Sequence, residues 1–417
     1  MIKHIPDMFT CERYTLNNGL QVVLSPQKHT GVMTSILIYH VGLRQELVGQ
    51  HGMSHFVEHM MFKGTTRHGK GEIDRLSLQC GGSNNAYTSL DTTVYTTSFP
   101  TEHCETVLDI EADRMQNTLF LPSDVESERE VILEEWKTAE DDPDDAFWQN
   151  FSQNIMGAHA YGRPVLGYKE SIRGFTPEGL KAFFHQHYHP QNATLILVGG
   201  LPAQVKTQIR QHFEDLPEKP ILSPKPIEFS LSPQRLTTRH KDVNTCRGIF
   251  CWPAPAFGSA DYFAFLVLQY VLTEGWSSLL HALWVEQEKW VTQVSCSIFE
   301  SQDPYIFWLE VDCDSASASL EKQLMESFYA LSIDSHDVEK AKRQRITDLF
   351  LQQETTEQRA DFIAECLSAG NFTDFVEYFD RLQAVNVEAV QGLFHRYLQP
   401  EKQSTGWLVP EDADDSL

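Results

Sequence analysis

Apolar and polar positions along this chain change period several times, and each change marks an element. In "RYTLNNGLQVVL" (13–24) alternating apolar positions flank an Asn18-Gly19 pair; a dipeptide that accepts positive φ between alternating runs predicts a β-hairpin opening a sheet. "SILIYHVG" (35–42) reads as a strand. "HGMSHFVEHMMFKGT" (51–65) carries its apolar residues at helical spacing. "NNAYTSLDTTVYTTSF" (84–99) alternates β-branched and aromatic residues with polar ones, which predicts one strand with a solvated face. "SDVESEREVILEEWKTAE" (123–140) opens with Ser123 and Glu126 in capping-box spacing and continues in good helix formers, until "EDDPDD" (140–145) stops the helical run. Strands and helices mix without strict alternation, so the expected fold class is α+β.

Five prolines in "LPEKPILSPKPIEFSLSPQ" (216–234) are too many for a helix or an inner strand. The stretch reads as a linker between an N-terminal domain, 1–215, and a C-terminal domain, 235–417. The two halves resemble each other. "FFHQHYHPQNATLILV" near the end of the first matches "LFHRYLQPEKQSTGWLV" near the end of the second, aligning Phe184 with Phe394, His185 with His395 and Pro190 with Pro400. Superposing Gly64 on Gly275 places an apolar helix in both halves, and Leu266, Gln269 and Tyr270 then stand where the first copy has His55, Glu58 and His59. A duplication is implied in which only the first copy carries the polar set.

With 417 residues, 41% of them hydrophobic, the chain can bury a large core. Its start has no apolar run of signal-peptide length and nowhere do eighteen apolar residues follow one another, which favours a cytoplasmic (or organelle-matrix) location and no membrane span. Eight cysteines without a CxxC pair fit reduced thiols. A formal net charge of -25 argues against nucleic acid and anionic membrane as partners; it leaves a choice between simple solubility and a leaning toward basic ligands.

The candidate chemistry lies in the helix at 51–65. Residues four apart share a helical face, so His55 and His59 can offer two imidazoles to one ion, while Glu58 points the same way and can take a proton from a metal-activated water. An HxxEH pattern arises by chance in about one chain in twenty of this length, and three solvated polar residues are the plain alternative. The neighbours Phe56, Val57, Met60, Met61 and Phe62 speak against solvation. A catalytic zinc needs a third protein ligand. On the helix at 123–140, Glu128 and Glu135 lie two turns apart on one face, with Glu134 about 100° away; one of the pair could ligate and the other orient a histidine.

The sequence His55-Phe-Val-Glu58-His59 with "MMFKGT" behind it, then "NAYTS" and "TVY", then "EREVILEEW" with Glu135 seventy-six residues after His59, resembles the pitrilysin or inverzincin zinc metallopeptidases. The two-domain branch that contains the zinc (beta) subunit of mitochondrial processing peptidase and its bacterial relatives is the most similar, and "HAYGRPVLGYKESI" and "YHPQNATLILVGGL" extend the likeness. The resemblance implies Zn2+ as cofactor, His55, His59 and Glu135 as its ligands, Glu58 as general base and Glu128 as the carboxylate supporting a ligand. It also implies that Asn85 and Ala86 lie on a strand that accepts an extended peptide substrate by backbone pairing. Two similar halves are implied, each a mostly antiparallel sheet covered by helices, with a chamber that admits unfolded peptides. Asp91 stands where the family commonly has Glu.

The pattern breaks in the C-terminal half. Active members carry an Arg and a Tyr seven apart, in a segment like REKxGLAY, that contact substrate. In "GWSSLLHALWVEQEKWVTQV" (275–294) those positions are Val285 and Thr292, and Leu279 replaces another common Arg. Val has no donor for an oxyanion and Thr is too short to replace a Tyr hydroxyl. A zinc endopeptidase completed by a homologous non-zinc subunit is therefore expected, with a homodimer next; the reading from another class is a catalytically weak structural or peptide-docking subunit. A maturation protease for one particular peptide would share the chemistry.

Overall fold

A computed structural model describes residues 11–221, 229–369 and 375–413. The chain divides into two compact units: Met1–Lys137 with Arg163–Pro226 and Gln352–Gly370, and Thr138–Gly162 with Ile227–Leu351 and Asn371–Leu417. Of the proline-rich stretch, Pro224 and Pro226 lie outside the described residues.

The first unit is built on a six-stranded sheet of β1 (Glu12–Thr15), β2 (Gln21–Pro26), β3 (Val32–Tyr39), β4 (Ser83–Thr88), β5 (Thr93–Pro100) and β6 (Ala193–Gly199), in the order β1-β2-β6-β3-β5-β4. Only β2 and β6 run parallel. Gly19, at φ +90, turns the first hairpin, closed by the Leu16 amide on the Leu20 carbonyl at 2.9 Å. The run at 84–99 forms two strands rather than one. It folds back at Ser89–Thr92, where the Ser89 amide donates to the Thr92 carbonyl at 2.8 Å; the turn holds no Gly, Pro or Asn to mark the break.

One face of this sheet presents Met33, Leu37, Tyr39, Tyr95 and Phe99 to a core shared with Phe56, Val57, Met60, Leu108, Phe184 and Ile209 from the covering helices. Each such fully buried side chain contributes about 1.5–3 kcal/mol. Along β3 and β6 on the other face lies helix Thr356–Ser368, tied down by Thr34 Oγ1 donating to Thr356 Oγ1 at 2.9 Å and by Arg359 Nε donating to Ser25 Oγ at 2.8 Å. Covered on both faces, β6 is buried throughout, whereas β4 at the sheet edge alternates exposed and half-buried residues.

The second unit carries β7 (Arg235–His240), β8 (Cys246–Ala254), β9 (Gln293–Ile298), β10 (Tyr305–Cys313) and β11 (Ser404–Pro410), in the order β7-β11-β8-β10-β9 with β7 and β11 parallel. This is the order of the first sheet without β1. The repeat landmarks coincide as well. Helix Pro177–His187, a short turn at Pro190–Asn192 and β6 answer to helix Val387–Arg396, a turn at Pro400–Lys402 and β11. Both helices are capped at their N-termini by a side chain, Thr176 accepting from the Gly179 amide and Asn386 from that of Ala389. The expected pair of mostly antiparallel sheets with covering helices is thus the observed architecture.

Helix Pro143–Met156 packs on β7 and β11. A Cβ on Gly406 would come within 2.9 Å of the Phe147 and Phe151 rings, so only glycine admits this approach. "EDDPDD" is therefore a start as well as a stop. The preceding helix ends at Asp141, and Asp142 caps the next by accepting from the Asp144 and Asp145 amides at 2.9 and 3.1 Å, with Pro143 in the first turn. The helix expected from Ser123 begins at Pro122, which puts Ser123 inside the first turn instead of at the cap. Among the described residues no helix is long and apolar enough to cross a membrane.

Candidate metal centre

Helix Met53–Met60, here the His55 helix, buries Met53, Phe56, Val57 and Met60 in the core and keeps His55 and His59 half-buried on another side. The spacing places their Nε2 atoms 3.3 Å apart. Helix Pro122–Asp141, the Glu135 helix, brings Glu135 Oε2 to 3.4 Å from His59 Nε2 and 3.8 Å from His55 Nε2. Tetrahedral ligands about 2.0–2.1 Å from a zinc ion stand roughly 3.3 Å from one another, so this triangle of two nitrogens and one oxygen has the dimensions such an ion requires. Glu134 is not among the converging donors.

The supporting groups are equally specific. His59 Nδ1 and Glu128 Oε1 are 2.9 Å apart, which fixes the ring and leaves Nε2 facing the triangle. Lys63, one turn after His59, pairs with the other oxygen of Glu128. Glu58 is only 8% exposed and accepts from Thr88 Oγ1 at 2.6 Å. Burial pushes the Glu58 carboxyl up, the Thr88 hydroxyl and His59 oppose the rise, and Glu135 adds to it. Burial and the neighbouring His59 lower His55 to about 3, keeping it neutral as a ligand must be. For His59 burial is the largest influence and lowers its pKa, but Glu128, Glu135 and Glu58 together raise it on balance. The three carboxylates thus favour positive charge where the nitrogens converge. Glu128 is held low on balance, His59 and Lys63 outweighing its burial.

Asn85 and Ala86 lie on β4, opposite Thr96 and Tyr95 of β5. Asn85 is exposed, Ala86 packs partly on the core, and the outer edge of β4 has no partner strand among the described residues. Asp91 sits buried in the β4–β5 turn with Arg44 Nε 4.0 Å away, a place in the framework of the turn. Thr88, Lys63 and the buried Glu46, which caps the His55 helix, were not legible in the sequence; of these only Lys63, four residues after His59, carried a spacing signal.

The equivalent helix of the second unit, Ala260–Thr273, buries Leu266 and Tyr270, and the Tyr270 hydroxyl donates to Asp348 Oδ2 at 2.7 Å. Val285 is half-buried in the π-helical turn His281–Gln287, and the Thr292 hydroxyl donates to the Asp312 carbonyl at 3.0 Å. One other cluster of possible ligands occurs among the described residues, Asp334, His336 and Asp337. There Asp334 accepts from the His336 and Asp337 amides, as a helix cap does.

Two halves with one strand order, the first alone carrying an HxxEH helix over its sheet, define the class as inverzincin-like. The profile of the insulinase family (peptidase family M16) matches residues 22–169, and that of the M16 inactive domain matches 174–345; the chain belongs to peptidase family M16. It is 29% identical to the zinc protease PqqE of Helicobacter pylori over 96% of this chain and 93% of that one. With a probable mitochondrial-processing peptidase subunit beta of Arabidopsis thaliana it shares 25% identity, over 92% of this chain and 75% of the relative. The crystal structure of a protease from Helicobacter pylori superposes with a TM-score of 0.88 at 26% identity, covering 96% of this chain and 99% of the other.

Proposed function

We propose that this chain is a zinc-dependent endopeptidase acting on unfolded peptides, and that it works as the catalytic subunit beside a homologous non-zinc subunit. The observation that carries the reading is the triangle of His55 Nε2, His59 Nε2 and Glu135 Oε2, all within 4.8 Å of one another. A zinc ion held by these three residues supplies Lewis acidity, polarising a peptide carbonyl and making water more acidic.

The rest follows from the protein's own groups. An extended peptide pairs with the open edge of β4 at Asn85 and Ala86, which sets its carbonyls in line along the strand. Glu58 accepts the proton of the attacking water on its carboxylate and hands it to the leaving amine; the rise in its pKa brings it nearer to neutrality, where a base that must also act as an acid is most effective. Thr88 orients Glu58, and Glu128, steadied by Lys63, orients His59.

The partner is proposed from Val285 and Thr292. Neither side chain can donate to a developing oxyanion, since the first has no donor and the second has committed its hydroxyl to the Asp312 carbonyl. The match of residues 174–345 to a domain described as inactive agrees with Leu266, Gln269 and Tyr270 standing in the second half where the first has His55, Glu58 and His59. A cytoplasmic setting is part of the proposal, supported by eight free cysteines.

A fluorescence-quenched peptide library is the test, incubated with the zinc-loaded chain alone and with a homologue that carries the Arg and Tyr, Glu58→Gln serving as control. Cleavage that depends on both Glu58 and the homologue is the expected result. Glu58-dependent cleavage by the chain alone removes the partner from the account; zinc retained without cleavage in any combination favours a peptide-docking subunit.

A further inference from the structure

The His55 helix has no cap of its own. Its N-cap is Gly52, in the left-handed region at φ 92, with no side chain to satisfy the first amides. Glu46, 4% exposed and outside the helix, fills that role. Its Oε2 accepts from the Gly52 amide at 2.9 Å and its Oε1 from the Ser54 amide at 2.8 Å, so both oxygens are used. Ser54 precedes His55 directly.

The segment that carries Glu46 is fastened to the β4–β5 turn. The Leu43 amide donates to the Ser89 carbonyl at 3.3 Å and the Arg44 amide to the Leu90 carbonyl at 2.9 Å. A Cβ on Gly42 would stand 2.5 Å from the Ser89 carbonyl oxygen, so the two backbones touch there. Ser54 Oγ donates to the Gly42 carbonyl at 3.2 Å, and Arg163 Nη1 donates to the Glu46 carbonyl at 3.3 Å. The β4–β5 turn, the 42–46 segment and the first helical turn therefore form one continuous connection.

Resting on the proposed metal centre, we infer that Glu46 is a positioning residue: its two carboxylate oxygens lock the first turn of the His55 helix to the segment that grips the β4–β5 turn. The histidine pair is thereby held at a fixed distance from the strand edge that takes the peptide. Asp91, the buried acid of that turn beside Arg44, belongs to the same framework.

Glu46→Gln separates this role from packing. Gln has the same shape but one acceptor oxygen, and its amide nitrogen would face a backbone N–H. Burial raises the Glu46 carboxyl to about 7 against the pull of the Ser54 and Gly52 amides and of Arg163, so the comparison is made at about pH 8, where the carboxylate predominates. Zinc affinity is measured by chelator competition on wild type and Glu46→Gln, with far-UV circular dichroism of both metal-free chains. The expected result is zinc affinity weaker by about tenfold or more in Glu46→Gln with unchanged helical content, the size of effect that groups orienting metal ligands produce. Affinity within about twofold of wild type, against that tenfold scale, overturns the inference and leaves the metal centre standing. A wild-type chain that binds no stoichiometric zinc overturns the metal centre, and this inference with it. If Glu46→Gln fails to fold, Glu46→Asp, which keeps the charge but is one methylene too short to reach both the Gly52 and Ser54 amides, decides by the same ratio.

Discussion

Helices Met53–Met60 and Ala260–Thr273 occupy equivalent places over sheets of the same strand order, yet they solve opposite problems. The second is fourteen residues long, capped by Ser259 on the Tyr262 amide, and buried along most of its length. Where the first copy has two histidines and a glutamate, it has Leu266, Gln269 and Tyr270, and its Tyr270 hydroxyl donates to Asp348 of helix Ser335–Leu351. The first helix is eight residues long, borrows its cap from Glu46, and meets its neighbouring helix through His59, Glu128 and Glu135. The first copy gives helix positions to donors where the second has core or neutral residues, as the proposed metal centre requires. Donors that could each be satisfied singly are made to converge, and the scaffold around them supplies the rigidity that apolar packing provides in the other copy.

Breaking the first helix's chemistry gives the largest expected effect. His59→Ala removes a proposed ligand nitrogen and should abolish both zinc retention and peptide cleavage, whereas Glu58→Gln should retain zinc while lowering kcat by about 10²–10⁴-fold, the usual contribution of a positioned acid–base group. Metal analysis and steady-state kinetics on the two variants check this, and undiminished cleavage by Glu58→Gln would remove Glu58 from its role. Next comes Glu128→Gln, which loses the charge that holds His59 Nδ1 and leaves Lys63 without its partner. Zinc affinity should fall by about 10–100-fold, read by chelator competition.

These sites differ in how far the sequence disclosed them. His55, Glu58 and His59 are legible because helical geometry alone sets their relation. Glu135 is 76 residues further on, and only the family resemblance singled it out from Glu128. Glu46 and Thr88 approach the helix through tertiary structure, and no local period records that. The same limit explains the fold. The first sheet could be read from alternation and turn residues and the second only from the internal repeat and the family resemblance, but the break at Ser89–Thr92 carries no Gly, Pro or Asn to mark it, and the partnership of helix Pro143–Met156 with β11 depends on a glycine, Gly406, that looks ordinary in sequence.

Smaller effects sharpen the contrast from the other side. Tyr270→Phe in the second copy deletes the hydroxyl that donates to Asp348, costing about 1 kcal/mol of stability, and should leave zinc binding untouched; thermal unfolding alongside metal analysis reads both. Smallest is Asp361→Asn, on the helix along β3 and β6. Burial, and then Glu357, raise the Asp361 carboxyl from 3.8 to about 6. A group raised in the folded state contributes stability that is present below its ordinary pKa and lost as pH rises through about 6. The variant should therefore unfold at a higher temperature than wild type above about pH 7 and lose that advantage near pH 4, by at most about 1 kcal/mol because the group is partly solvated.

In the proposed centre two imidazoles and a carboxylate of the first unit bind one zinc ion. X-ray absorption at the zinc edge of the stoichiometrically loaded chain tests it most directly. The expected result is a shell of nitrogen and oxygen at about 2.0–2.1 Å with the outer scattering of two imidazoles and no sulfur. A shell containing sulfur near 2.3 Å, or one without two imidazoles, would place the metal elsewhere and contradict it.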